Sequence, residues 1–303
     1  MPGTEQKRSL DDQSPMAVPR LQDARVAIVG LGLMGGSLAG ALRGNCRSVF
    51  GVARRAEVLE TALAEDLIDW GTTELADGVR QADVVVLATP VRVIMRQLAQ
   101  LAPLLPHGCL LMDLGSTKAE IVAEMAGLPE YVQPLGGHPM CGKEVSGIDA
   151  ADLGLYQGCT FILCPLPRTS DAALSLGREL AEAAGTHPLV LNAERQDSLV
   201  ATLSHLPYLL ACALVGTADI LTSPDPAAWQ IVAGGYRDTS RVAGSDVQMM
   251  LDILMTNQEE VVRSVRACQA QLGRLADLVQ AGAEEELQAA LRGIREERRR
   301  MFP

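Results

Sequence analysis

The segment Gly30-Leu31-Gly32-Leu33-Met34-Gly35-Gly36-Ser37 directly follows the apolar run Arg25-Val26-Ala27-Ile28-Val29. No other stretch narrows the possible folds so much. Val26 to Val29 have the length and β-branching of a buried strand. Gly30, Gly32 and Gly35 then fall at the G-x-G-x-x-G spacing. The first glycine permits a tight turn, the second lets a pyrophosphate approach the backbone, and the third lets the following helix pack closely on the strand. A helix starting here directs unpaired N–H groups and the positive end of its dipole at phosphates. Glycine turns are common, so the spacing alone is weak. A strand before it and a helix after it make it a dinucleotide-binding fingerprint, with Gly30, Gly32, Leu33, Met34 and Gly35 as expected contacts.

At 303 residues the chain suits two domains, each able to bury its own core. A net charge of −11 argues against a nucleic-acid partner and against an anionic membrane surface, while leaving a small anionic substrate open. Aromatic residues make up only 3% of the chain, too few to suggest a stacking surface for single strands. The seven cysteines are scattered and form no C-x-x-C pair, which reads as reduced thiols in a cytoplasmic protein, with no metal site expected. Residues 1–24 are polar and carry Pro2, Pro15 and Pro19, as a disordered tail would. No uninterrupted run reaches the roughly 18 apolar residues of a membrane helix. The most apolar helix candidate, Leu206 to Leu221, contains Pro207, Thr217 and Asp219, and is expected to be buried in a helical core or a subunit interface.

Strand and helix signals alternate up to about Asn192. Strands are expected at Ser48–Val52, Asp83–Ala88, Cys109–Asp113, Tyr131–Leu135, Cys159–Cys164 and Pro188–Leu191. Helices are expected at Ser37–Leu42, Ala56–Ala64, Val93–Leu101, Lys118–Met125 and Ala172–Ala184. This is the pattern of a doubly wound α/β domain. From Arg195 onward the periodicity is helical, with breaks at Ser223-Pro224-Asp225-Pro226 and Gly234-Gly235. The expected organisation is a tail (1–24), a Rossmann-type domain (25–192) and an all-helical domain (193–303). The Arg298-Arg299-Arg300 run suits the end of a solvated helix.

Ligands of open α/β sheets bind outside the carboxyl ends of the strands, so residues at those ends carry the chemistry. The second strand ends in Ala53-Arg54-Arg55, where an acid usually bonds the adenosine ribose and selects NAD. A missing acid and two adjacent guanidiniums favour the 2′-phosphate of NADP over NAD, although both arginines also suit an ordinary helix start. Thr89 and Pro90, just past the third strand, are expected cofactor contacts. Ser116, in Asp113-Leu114-Gly115-Ser116-Thr117-Lys118, is placed to hydrogen-bond into the cleft or to cap a helix. His138, in Gly136-Gly137-His138-Pro139-Met140, is expected just past a strand, where a neutral imidazole suits a general base. His107 and His187 precede or follow prolines in loops and read as surface residues. In the helical part, His205 of Ser204-His205-Leu206-Pro207-Tyr208 reads as a buried histidine. Arg237 and Arg241 of Gly234-Gly235-Tyr236-Arg237-Asp238-Thr239-Ser240-Arg241-Val242-Ala243 lie four apart, sharing a face to hold a carboxylate or to pair with Asp238 and Asp246.

Taken in this order, GLGLMGGS, DLGSTK, GGHPMCG, SHLPY and GGYRDTSRVA resemble the prephenate dehydrogenase family, which includes arogenate and cyclohexadienyl dehydrogenases. The resemblance runs from Arg25 to about residue 270. It implies oxidative decarboxylation of prephenate or arogenate on the way to tyrosine, by a Rossmann domain joined to a helical dimerisation domain, hence a homodimer with a small-molecule substrate. It further implies that His138 engages the substrate hydroxyl, that Ser116 bonds His138 and that hydroxyl, and that Arg241 binds the ring carboxylate. His205, Tyr208 and Arg237 would border the substrate. The sequence departs from the common pattern at Ala53, at Tyr208 where many members have a second histidine, and at Cys141 where alanine is common. No regulatory ligand-binding domain follows the helical part, so control by tyrosine through such a domain is not expected. A β-hydroxyacid dehydrogenase would share the glycine loop, but that family uses a lysine of its second domain, and no lysine follows Lys143 here. A nucleotide-binding protein without catalysis would need no clustered His, Ser and Arg.

Overall fold

The computed structural model describes residues 18–302. Eight strands form one sheet: β1 (Arg25–Val29), β2 (Ser48–Val52), β3 (Trp70–Thr72), β4 (Val84–Leu87), β5 (Leu110–Asp113), β6 (Gln133–Pro139), β7 (Thr160–Pro165) and β8 (His187–Val190). Their order is β3-β2-β1-β4-β5-β6-β7-β8, and every neighbouring pair is parallel except β6 with β7. Alternate residues of each central strand feed two cores. Val26 and Ile28 of β1, with Val84 and Val86 of β4, enter one, while Ala27, Val29, Val85 and Leu87 enter the other. A sheet covered on both faces needs strands that are apolar on both sides, and all of these residues are buried.

The helices of this domain are α1 (Leu33–Leu42), α2 (Ala56–Ala64), α3 (Leu75–Val79), α4 (Val91–Leu101), α5 (Ala119–Ala126) and α6 (Asp171–Ala183). Helix α1 starts four residues before the expected Ser37. Three interior glycines lower its intrinsic propensity, but close packing overrides that. A Cβ on Gly36 would lie 2.7 Å from Ile148 Cδ1. The short β3 and α3 escaped the sequence reading, because three residues around an exposed Trp70 carry no periodicity. The alternation of parallel strands also fails once. Between β6 and β7 no α-helix intervenes, only a 3₁₀ turn at Ile148–Ala150, and without a crossover helix the return is antiparallel. The expected tail lies mostly outside the described residues. Its last part is structured, with a 3₁₀ turn at Leu21–Asp23 whose Leu21 is buried.

The remaining helices are α7 (Ala193–Val200), α8 (Leu206–Thr222), α9 (Gly234–Ser240), α10 (Val247–Met255), α11 (Gln258–Gln280) and α12 (Glu284–Met301). A π turn over Ala201–His205 joins α7 to α8, making a continuous helix from Ala193 to Thr222. Although the apolar run is interrupted in sequence, this helix is long and apolar enough to cross a membrane by length and composition, with an 18-residue window of mean hydropathy 1.7. Only Ala211 of α8 is fully buried, so the α8 part of this helix, unlike α7, is not buried in a core of the single chain. Gly234 and Gly235, expected as a break, open α9 instead. All seven cysteines are free.

Candidate active site

At the carboxyl edge of the sheet the chain order reverses between β1 and β4, and the glycine loop sits at this crevice. Gly30 has a φ of +100°, which only glycine adopts without strain. A Cβ on Gly35 would lie 1.9 Å from the Gly30 carbonyl oxygen, so this glycine is needed for α1 to close on β1. A Cβ on Gly32 would meet nothing within 4 Å. The backbone there borders open space, and no side chain caps the N-terminus of α1. This is the cradle a pyrophosphate requires, so the residues present fit a dinucleotide. Leu33 and Met34 form the first turn of α1. Thr89 follows β4 against Gly30 and donates its hydroxyl to Gln97 Oε1 at 2.7 Å, and Pro90 is the N-cap of α4. Ala53 follows β2, half-buried, while Arg54 and Arg55 are exposed and form no ion pair among the described residues.

His138 does not follow a strand, as expected, but lies within β6, opposite Ile162 of β7. The preceding glycines serve the sheet rather than a loop: a Cβ on Gly137 would lie 2.5 Å from the Asp113 carbonyl oxygen. Pro139 is tolerated as the last residue of the strand. The His138 side chain is buried, and its Nδ1 lies 2.7 Å from Nε2 of Gln196 in α7. The same Gln196 Nε2 donates to the Ser116 carbonyl at 3.2 Å. The expected bond from the Ser116 hydroxyl to His138 is replaced by this arrangement, in which Ser116 contributes its backbone. Burial, the nearby Lys118 ammonium and His205 push the His138 pKa down to about 3, so the ring is neutral near pH 7.

A buried polar network surrounds this histidine and spans both parts of the chain. Lys118 and Asp113 form a fully buried ion pair. Asp113 also accepts from the backbone N–H of Gly115 at 2.7 Å and of Gly137 at 3.1 Å. Asp197 of α7 caps the start of α5, accepting from Lys118 N at 2.7 Å and Ala119 N at 2.9 Å. Thr117 and Thr256 share a hydrogen bond of 2.8 Å. Asn257 donates to the Asp197 carbonyl at 2.8 Å and lies 3.3 Å from His205 Nδ1. His205, set inward by the π turn, is buried, and burial lowers its pKa to about 4.

Tyr208 is half-buried in the first turn of α8, where burial pushes its phenol upward. Arg237 lies in α9, but Arg241 begins a separate 3₁₀ turn (Arg241–Gly244), and both are exposed. Arg241 pairs with Glu144 from the segment after β6 rather than with Asp238 or Asp246. Asp246 instead caps α10, accepting from Met249 N at 2.7 Å. Gln196, Asp197, Asn257 and Glu144 were not singled out in sequence. Gln196 and Asp197 sit in an Ala-Glu-Arg-Gln-Asp helix start that reads as a solvated first turn. Nothing in their local pattern marks them as buried.

Two family models match the chain: prephenate dehydrogenase, nucleotide-binding domain, over residues 38–190, and prephenate dehydrogenase, dimerization domain, over residues 192–293. The prephenate dehydrogenase of Lactococcus lactis subsp. cremoris is 33% identical over 257 residues, covering 83% of this chain and 70% of that protein. The crystal structure of Aquifex aeolicus prephenate dehydrogenase in complex with hydroxyphenyl propionate and NAD+ superposes with a TM-score of 0.85 at 31% identity, covering 91% of this chain and 98% of that one. Synechocystis arogenate dehydrogenase follows, with a TM-score of 0.80 at 29% identity over 92% of this chain and all of that one (100%). With a glycine loop built for a dinucleotide, a buried histidine in β6 and both family models matched along its length, the chain belongs to the prephenate dehydrogenase family.

Proposed function

We propose that the protein oxidatively decarboxylates prephenate or arogenate with NADP, yielding 4-hydroxyphenylpyruvate or tyrosine, and that it works as a homodimer in the cytoplasm. The observation that carries the reading is His138, buried and neutral where the carboxyl edge of the sheet meets the helical part. Bound at the glycine loop, an oxidised nicotinamide supplies a hydride acceptor. The substrate carbon bearing hydrogen and hydroxyl loses its hydrogen as hydride, and His138 takes the hydroxyl proton. A carbonyl-like centre develops, the ring carboxylate leaves as carbon dioxide, and the ring becomes aromatic. A base of this kind contributes roughly 10²–10⁴ in rate. Arg241, exposed beside Glu144, is the carboxylate-binding group and orients the substrate. His205, Tyr208 and Arg237 border the same region from the helical part. Gly30, Gly32, Leu33, Met34, Gly35, Thr89 and Pro90 hold the cofactor. Ser116 adds a hydroxyl at the edge of the cleft.

NADP is favoured because Ala53 offers no carboxylate to repel a 2′-phosphate, and Arg54 and Arg55 are exposed beside it. Homodimerisation is favoured by apolar side chains left outside: Leu203, Ile220, Leu221, Ile231 and Val279 are each more than half exposed in the single chain. The domain division at Asn192 follows the change from sheet to helices. The test is turnover with each substrate and each cofactor, followed as reduced nicotinamide in four combinations. Production of reduced nicotinamide with one substrate and a higher kcat/KM for NADP is the expected result. No turnover with either substrate overturns the activity, and a clear preference for NAD overturns the cofactor choice. His138→Asn should lower kcat by about 10²–10⁴ while KM changes little, and wild-type turnover in that variant removes the base.

A further inference from the structure

Gln196 faces the histidine that the proposed reaction uses as its base, and its amide is only partly satisfied. The NH₂ group lies between the Ser116 carbonyl at 3.2 Å and His138 Nδ1 at 2.7 Å. Its oxygen Oε1 is buried and has no hydrogen-bond partner among the described residues, and the whole residue is 0% exposed. The reversed amide would set two acceptor oxygens 3.2 Å apart, Oε1 against the Ser116 carbonyl. The arrangement with NH₂ inward is therefore the resting one. It has a chemical consequence. A donor on Nδ1 requires the lone pair there, so the proton of the neutral ring sits on Nε2. A base that accepts the substrate hydroxyl proton at Nε2 needs the opposite form, with its own proton on Nδ1 and an acceptor facing it. The orphaned Oε1 is such an acceptor, carried on the same side chain.

We propose that Gln196 is a positioning residue that sets the tautomer of His138. Its NH₂ holds the resting ring in the Nε2–H form, and before the ring takes the substrate proton its carboxamide turns over to accept Nδ1–H, giving up its bond to the Ser116 carbonyl. This rests on the reading of His138 as the base. No net proton is gained in the tautomer change: one leaves Nε2 to water and one is taken from water at Nδ1. In the reaction the hydroxyl proton goes to Nε2. The resulting imidazolium keeps its Nδ1–H on Gln196 and returns the Nε2 proton to solvent. The ring is neutral over the working pH range, so its tautomer rather than its charge is the variable a neighbour can set.

The experiment uses the full chain with ¹⁵N-labelled histidine, whose four rings give resolvable nitrogen shifts, His138 being assigned by its loss in His138→Asn. The free enzyme should show His138 as Nε2–H. Gln196→Glu, which can only accept, should show Nδ1–H and retain most of the turnover. Gln196→Met, similar in shape and unable to hydrogen-bond, should lose the single tautomer and lower kcat roughly tenfold to a hundredfold, less than loss of the base itself, with KM nearly unchanged. A free wild-type enzyme in the Nδ1–H form overturns the proposal, as does a Met variant that keeps both wild-type kcat and the Nε2–H form. Should the buried glutamate prevent folding, the wild-type spectrum and the Met variant still decide. If the spectra come out as expected but His138→Asn turns over normally, the base reading fails and the tautomer control stands.

Discussion

Two neutral histidines buried at the heart of the site make the protein sensitive to acid, and the effect can be sized. An unfolded histidine titrates near pH 6.5, while His138 is held down to about 3 and His205 to about 4, both chiefly by burial. Between these values the unfolded chain binds a proton that the native ring refuses. The stabilisation is therefore complete above about pH 6.5 and is lost as pH falls toward the folded values. Each such ring lowers unfolding free energy by about 1.4 kcal/mol per pH unit in that window, so at pH 5 each has cost about 2 kcal/mol. The pair together removes about 4 kcal/mol of a stability that is typically about 5–15 kcal/mol. Asp113 and Asp197 act in the opposite sense, because burial raises both carboxyls and the native state takes up their protons first. Comparing wild type with His138→Asn cancels them. Urea unfolding of both proteins, at fixed protein concentration and at about pH 7.5 and about pH 5, should show the wild type losing about 2 kcal/mol more than the variant. Equal losses in the two proteins would refute the claim that His138 is buried neutral.

The glycine loop offers a paired test. Gly32→Ala meets nothing within 4 Å, so the variant should fold with an unchanged Tm yet bind the cofactor at least tenfold more weakly, whereas Gly35→Ala, whose Cβ would lie 1.9 Å from Gly30 O, should be strongly destabilised; thermal melts beside cofactor titrations check both. Asp197→Ala strips acceptors from two N–H groups at the start of α5 and should cost about 1–3 kcal/mol in denaturant unfolding, with Asp197→Asn recovering part of it.

The parts of this molecule that could be read from sequence are those whose physics is local. Val26–Val29 and Val84–Leu87 are apolar on both faces because helices cover both faces, and that pattern needs no knowledge of the rest of the chain. The glycine loop is equally local, since its turn and its phosphate cradle are made by neighbouring residues. His138 was found as a residue but not as part of a strand. Gly136 and Gly137 look like a loop until β5 and β7 are brought alongside them. The antiparallel return at β7 was hidden for the same reason, because pairing direction is set by what spans the gap.

Gln196 and Asp197 could not be read at all, and the reason is physical. A polar residue in the first turn of a helix is solvated in most settings, and only the partner surface decides otherwise. Here α7 is driven into the loop after β5, where Asp197 replaces the missing N-cap of α5 and Gln196 reaches both Ser116 and His138. The helical part thus completes the nucleotide-binding part with hydrogen bonds to its backbone. A site assembled in this way cannot be transplanted with the sheet alone. Without α7, the start of α5 loses its cap and the buried Nδ1 of His138 loses its partner. The shared network couples the geometry of the histidine to the seating of one part of the chain on the other.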